Sequence, residues 1–168
     1  NGDLTFTDVA DTTRLDKPGF WMSSAFGDID NDGDFDIFAT NLGFRQSHHL
    51  WRNNGDGTYV NIPPSNGEES DRWGWGATFA DFDNDGLQDL YYAGELPGRR
   101  CSIATLDAGQ NILGRGNRGF FFYNQGGGRF QVDNSAISNI DLRCTGATGL
   151  AKADYDGNGF VDFIVVTS

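Results

Sequence analysis

The chain has 168 residues and a formal net charge of -12; the length suits one domain, on a prior of about 100 to 200 residues per domain, and the charge argues against surfaces for phosphate backbones or anionic lipid. There are 24 glycines, 14 phenylalanines, 5 tyrosines and 4 tryptophans, while lysine stands only at Lys17 and Lys152 and methionine only at Met22, which is the balance of short strands joined by glycine-rich turns. No run of about 18 apolar residues exists to span a membrane as a helix, so neither nucleic acid nor membrane insertion is expected, and an acidic surface of this kind favours cations.

In chain order, "LTFTDV" after the turn "NGD" reads as a strand (unit 1–9). The next unit, 21–62, offers a small apolar strand at Ser24 to Gly27, an acidic loop, and then "FDIFAT", "HLWRN" and "TYVNI". A third unit, 73–133, repeats this as Ala77 to Ala80, an acidic loop, "LYYAG", "FFFYN" and "RFQVD". The last, 145–168, carries an acidic loop and "FIVVT" before it stops. Each piece is too short for an ordinary helix and has the apolar, aromatic and β-branched character of a strand.

The units are spaced as repeats. The turns "NGDLTF", "NGDGTY" and "QGGGRF" precede the next acidic loop by 27, 27 and 29 positions, and the third unit alone is lengthened, by an insertion at 95–118. Four short antiparallel strands in tandem units of roughly 50 residues predict an all-β fold of propeller blades, with the acidic loop between the first and second strands of each. One strand, two full units and two further strands make 11, fewer than three blades, whereas a closed propeller takes at least about four. The expectation is therefore a partial propeller, belonging to a longer chain or completed by further copies in a multi-chain assembly.

The loops carry the chemistry. Counting Asp28 as position 1, oxygen side chains fall at positions 1, 3, 5 and 9: Asp28, Asp30, Asp32 and Asp36, with Gly33 at position 6. The second loop gives Asp81, Asp83, Asp85 and Asp89 with Gly86, and the third Asp154, Asp156, Asn158 and Asp162 with Gly159. Alternating carboxylates on a tight loop turn hard oxygens toward one point, and the glycine lets the chain wrap around it. A backbone carbonyl at position 7, from Asp34, Leu87 or Phe160, would complete the shell. Six or seven oxygens on short loops suit Ca²⁺; Mg²⁺ demands stricter octahedral geometry, and softer metals want histidine or thiolate. Up to three Ca²⁺ are expected, which would bring the net charge from -12 to -6. The third loop departs from the others at Gly157 and Asn158. An EF-hand begins alike but needs a glutamate at position 12 between two helices; here position 12 is Ala39, Tyr92 and Val165, so position 9 is expected to close the shell.

These motifs resemble the FG-GAP or VCBS repeat of calcium-binding β-propellers, the blade type of integrin α-subunit heads, and Phe26 and Gly27 stand directly before the first loop. The strings "FADFDNDGLQDLYYAG" and "LWRNNGDGTYVNI" are similar to the ASPIC/UnbV and cartilage-acidic-protein group of secreted proteins. The resemblance implies a calcium-stabilised blade fold and says little about a partner.

Other residues invite functional readings with plainer alternatives. Gly114, Gly116 and Gly119 match a dinucleotide fingerprint, but a strand follows where a helix is required. His48 and His49 lack a third soft ligand and read as strand histidines near a surface. Trp21, Trp73 and Trp75 recur just before the loops, which suits blade packing more than sugar stacking. Arg99, Arg100, Arg115 and Arg118 make the insertion locally basic, open to reading as a binding patch or as a loop that neutralises its own surface. Cys101 and Cys144 are expected to pair if the protein is secreted, with up to roughly 4 kcal/mol from loop closure.

The functional expectation is a non-catalytic calcium-binding module for structure, adhesion or assembly, with a protein or glycan partner. It is placed outside the cytoplasm, secreted or at a cell surface, the periplasm included, where free Ca²⁺ fills loops of this kind. The alternative is a carbohydrate-binding or polysaccharide-acting propeller domain, although Glu68, Glu69 and Asp71 near Trp73 sit in no recognisable catalytic context.

Overall fold

The computed structural model of the chain describes residues 1–42, 47–62, 73–95, 119–133 and 147–167. The insertion from residue 96 to 118 with its four arginines, the pair Cys101 and Cys144, and Glu68, Glu69 and Asp71 lie outside the described residues.

The described strands fall into three antiparallel sheets. β1 (Trp21–Gly27), β2 (Asp36–Asn41), β3 (His49–Asn53) and β4 (Tyr59–Asn61) pair in chain order. β5 (Trp73–Ala80), β6 (Asp89–Glu95), β7 (Phe120–Asn124) and β8 (Phe130–Val132) repeat the arrangement, and β9 (Ala147–Ala153) pairs with β10 (Asp162–Thr167). The register repeats as well: Gly27 faces Asp36, Ala80 faces Asp89 and Ala153 faces Asp162. Each acidic loop thus leaves and re-enters its sheet at equivalent points. The all-β architecture of four-stranded blade units expected from the sequence is what the chain forms. β1 and β5 begin at tryptophans, earlier than their small apolar stretches suggest, so Trp21, Trp73 and Trp75 are strand residues.

Alternation along β6 explains how the sheets stack. Successive strand side chains point to opposite faces; Leu90 and Tyr92 join a cluster with Ala25, Ile29, Phe38, Leu50, Phe79, Phe120 and Phe122, whereas Tyr91 and Ala93 join Phe121 on the other face. Phe82, Leu150, Phe163 and Val165 pack against that second cluster, with the Tyr91 and Phe163 rings stacked 4.4 Å apart. The middle sheet is therefore buried on both sides, and its strands read as nearly continuous apolar runs. The outer faces differ. Ile164 and Val166, at the positions of buried Tyr91 and Ala93, are each 57% exposed, and Phe26, the counterpart of buried Phe79, is 61% exposed.

The strand expected at "LTFTDV" does not form. Leu4 has a φ of 67°, and a single helical turn, α1 (Ala10–Thr13), follows Val9. What does form is the preceding turn: Asp3 Oδ1 accepts from Thr5 N at 3.0 Å and Thr5 Oγ1 at 2.6 Å, as Asp56 Oδ1 accepts from Thr58 N at 2.9 Å and Thr58 Oγ1 at 2.6 Å. Such a turn is local chemistry, but a strand needs a hydrogen-bonded neighbour. None of the described strands lies beside residues 4–9.

His48 corrects another expectation, since it is buried rather than near the surface. Its Nδ1 accepts the Asn41 N–H at 3.0 Å, and its ring lies 4.4 Å from that of Tyr92. Gly74 makes the close approach feasible: a Cβ there would sit 2.7 Å from Thr40 and 2.8 Å from the His48 ring. Burial, with a smaller contribution from His49, lowers the His48 pKa from 6.5 to about 4. Below pH 6.5 the unfolded chain then binds a proton that the native state refuses, so stability is complete above that pH and is lost as pH falls toward 4. At pH 5 the wild type should lose about 2 kcal/mol more than His48→Gln. Urea unfolding of both proteins at pH 5 and pH 7.5 measures this, and equal losses would show that His48 does not titrate on unfolding.

Candidate metal centres

All three acidic loops adopt one backbone. Positions 4 and 6 take positive φ: Asn31 at 59° and Gly33 at 93°, Asn84 at 60° and Gly86 at 89°, Gly157 at 73° and Gly159 at 89°. Asparagine tolerates the left-handed region and glycine enters it freely, which is why Gly157 can replace asparagine without changing the loop.

The hydrogen bonds repeat with the backbone. The position-1 carboxylate accepts N–H groups from positions 5 and 6: Asp28 from Asp32 at 3.1 Å and Gly33 at 3.0 Å, Asp81 from Asp85 at 3.0 Å and Gly86 at 2.9 Å, Asp154 from Asn158 and Gly159, both at 3.0 Å. The position-5 side chain accepts from position 7, fixing Asp34, Leu87 and Phe160 at 2.9, 2.8 and 2.8 Å. This wiring turns the remaining oxygens inward. Asp28, Asp30 and Asp32 bring ligand atoms within 4.8 Å of one another, as do Asp81, Asp83 and Asp85, and Asp154, Asp156 and Asp162.

Position 9 divides the loops. Asp36 and Asp89 stand outside the first two converging groups, and both are 1% exposed. Asp36 accepts Ile29 N at 2.8 Å and Asn53 N at 2.7 Å. Asp89 accepts Phe82 N at 3.2 Å and Asn124 N at 2.8 Å. Each carboxylate thus rivets its loop to the third strand of its own sheet, with further lone pairs available to an ion. In the third loop Asp162 accepts Tyr155 N at 2.9 Å and converges with the other acids.

The electrostatics are those of crowded carboxylates. Burial raises the Asp89 pKa to about 6, with the Asp83 and Asp85 charges adding to it and the N–H groups of Asn124 and Phe82 opposing it. Asp36 is raised for the same first reason, against the N–H groups of Ile29 and Asn53. Asp30 is raised by burial and then by Asp32, with Arg52 pulling the other way. Its Oδ1 is buried without a hydrogen-bond partner. An all-oxygen donor set with an orphaned buried carboxylate oxygen fits a hard cation and is compatible with Ca²⁺. Position 12 offers no side-chain ligand, since Ala39 and Val165 carry no side-chain oxygen and Tyr92 is fully buried in the core.

Sequence reading missed two roles. Position 2 of the first two loops plugs the space between sheets: Ile29 is 1% exposed, and the Phe82 ring lies 5.0 Å from Phe121 and 5.8 Å from Phe163, whereas Tyr155 of the third loop is exposed. Asn124, besides capping Asp89 with its backbone, donates its side-chain amide to Ile29 O at 2.8 Å and Gln88 O at 3.0 Å. The available signal was the asparagine that ends the third strand in both "LWRN" and "FFYN".

Comparison with known proteins agrees with the resemblance read from the loops. Residues 40–92 match the family described as FG-GAP-like repeat. Cartilage acidic protein 1 of Homo sapiens is 28% identical over 127 residues, covering 71% of this chain and 18% of that protein, and the Mus musculus protein gives the same values. The Xenopus tropicalis protein of the same name is 35% identical over 92 residues, covering 54% of this chain and 14% of its own length. The chain therefore spans less than a fifth of the curated relatives it matches.

Proposed function

We propose, from the FG-GAP-like repeat that the chain carries, that it is a non-catalytic calcium-binding module for structure, adhesion or assembly, working outside the cytoplasm within a longer propeller or a multi-chain assembly. The observation that carries calcium is the threefold recurrence of a converging carboxylate group on one backbone geometry. Asp28, Asp30 and Asp32, Asp81, Asp83 and Asp85, and Asp154, Asp156 and Asp162 would hold the ions. Bound Ca²⁺ would supply the positive charge that these clusters lack, and chemistry of that kind stiffens a loop rather than transforming a substrate.

Short, exposed loops of this type fill where free Ca²⁺ is plentiful, which supports an extracellular setting. The half-exposed apolar face of β10, whose counterpart in β6 is wholly buried by the next sheet, supports continuation by further blades.

Calorimetric titration of EDTA-stripped protein should give three bound Ca²⁺, and Asp156→Ala should reduce this to two. Binding of none would overturn the calcium reading. Incubation with a polysaccharide panel should release no reducing sugar; release would replace the non-catalytic reading by the enzymatic one.

A further inference from the structure

The three loops are physically joined. Asn31 Nδ2 donates to the Gly86 carbonyl at 3.1 Å, and Asn84 Nδ2 donates to the Gly159 carbonyl at 3.2 Å. Both donors stand at position 4 of one loop and both acceptors at position 6 of the next, across 55 and 75 residues of sequence. The donor lies between two candidate ligands of its own loop, Asp30 and Asp32 or Asp83 and Asp85. The acceptor adjoins a third: Gly86 follows Asp85, and its own N–H is held by Asp81 at 2.9 Å. Gly157 occupies position 4 of the third loop and has no side chain to donate, so the series runs from the first loop to the third and stops there among the described residues.

We infer that the position-4 asparagines couple the loops, so that an ion in one loop raises the affinity of its neighbour. This rests on the calcium occupancy proposed above. Without metal, clustered carboxylates repel, and each loop samples open arrangements that an ion must collect. An ion in the second loop fixes Gly86, and with it the place where Asn31 finds its acceptor. The first loop then has less freedom left to lose when its own ion arrives, which is positive coupling through ordering. By linkage the effect is reciprocal. Repulsion between bound cations acts in the opposite direction, and an asparagine-to-glycine change alters no charge, so that repulsion enters both arms of the cycle below equally and cancels when the Asn31 and Asn31→Gly chains are compared.

The test is a thermodynamic cycle read by Ca²⁺ calorimetry, with the third loop disabled throughout by Asp156→Ala. Disabling the second loop by Asp83→Ala should weaken Ca²⁺ binding to the first loop about 2- to 10-fold, the value of one hydrogen bond, when Asn31 is present. In the Asn31→Gly chain the same change should produce no such weakening. Asn31→Gly keeps the backbone, because Gly157 holds the same position natively at a φ of 73°. Equal weakening in both chains would overturn the coupling while leaving calcium binding intact. Absence of binding in the parent chain would overturn the calcium reading and the coupling together.

Discussion

In millimolar Ca²⁺ the chain should melt far above its melting temperature in EDTA. An ion that binds only the native state adds RT ln(1 + [L]/Kd), roughly 2.7 kcal/mol per site at a hundredfold excess over Kd. Three filled loops would add roughly 8 kcal/mol, of the order of the whole stability of an ordinary domain. For a domain of this size each kcal/mol moves the melting temperature by about 2 to 4 °C, so the expected shift is roughly 15 to 30 °C. Its physical origin is the like charge held at each converging group, within 4.8 Å and without a cation of the protein's own among the ligands. Mg²⁺ at equal concentration should do much less, because it keeps its waters and resists the irregular shell of a flexible loop. Differential scanning calorimetry in EDTA, Ca²⁺ and Mg²⁺ measures all three, and an unchanged melting temperature in Ca²⁺ would remove the metal from the account of this fold.

The loops were legible in the sequence because the bonds that turn their backbone are local. A position-1 carboxylate reaches N–H groups 4 and 5 residues on, and three copies exposed the pattern position by position. The strands around them were legible for the same reason: "HLWRN" and "FFFYN" became β3 and β7 without change. What stayed hidden depends on partners far along the chain. His48 is buried because Gly74 lets the next sheet approach it, and nothing beside His48 announces that glycine. Residues 4–9 carry strand-like side chains and a well-made turn, yet a ladder is made by two segments, and one of them cannot be read from the other. The rivet at position 9 is hidden likewise, since Asn53 and Asn124 lie 17 and 35 residues beyond the carboxylates they bond. A fixed motif position therefore conveyed a ligand and concealed a second structural role.

That second role separates two substitutions in one loop. Asp83 is exposed, and the one N–H it accepts, from Asp85 at 3.2 Å, is also held by Asp81 at 3.0 Å, so Asp83→Ala should abolish the second site while leaving stability in EDTA within about 0.5 kcal/mol of the wild type, as surface substitutions do. Asp89 is buried and accepts two backbone N–H groups, one from Phe82 in its own loop and one from Asn124 at the end of β7. Hydrogen bonds to a charged acceptor contribute about 1.5 to 3 kcal/mol each, and their loss strands buried donors. Asp89→Ala should therefore cost roughly 3 to 5 kcal/mol even with no calcium present, and Asp89→Asn less, because its amide keeps one acceptor oxygen. Urea unfolding of the three variants in EDTA distinguishes the roles. If Asp89→Ala matched the wild type there, the carboxylate would be a ligand only; if Asp83→Ala lost as much as Asp89→Ala, the loop would be standing on its exposed acids rather than on the bond between Asp89 and the end of β7.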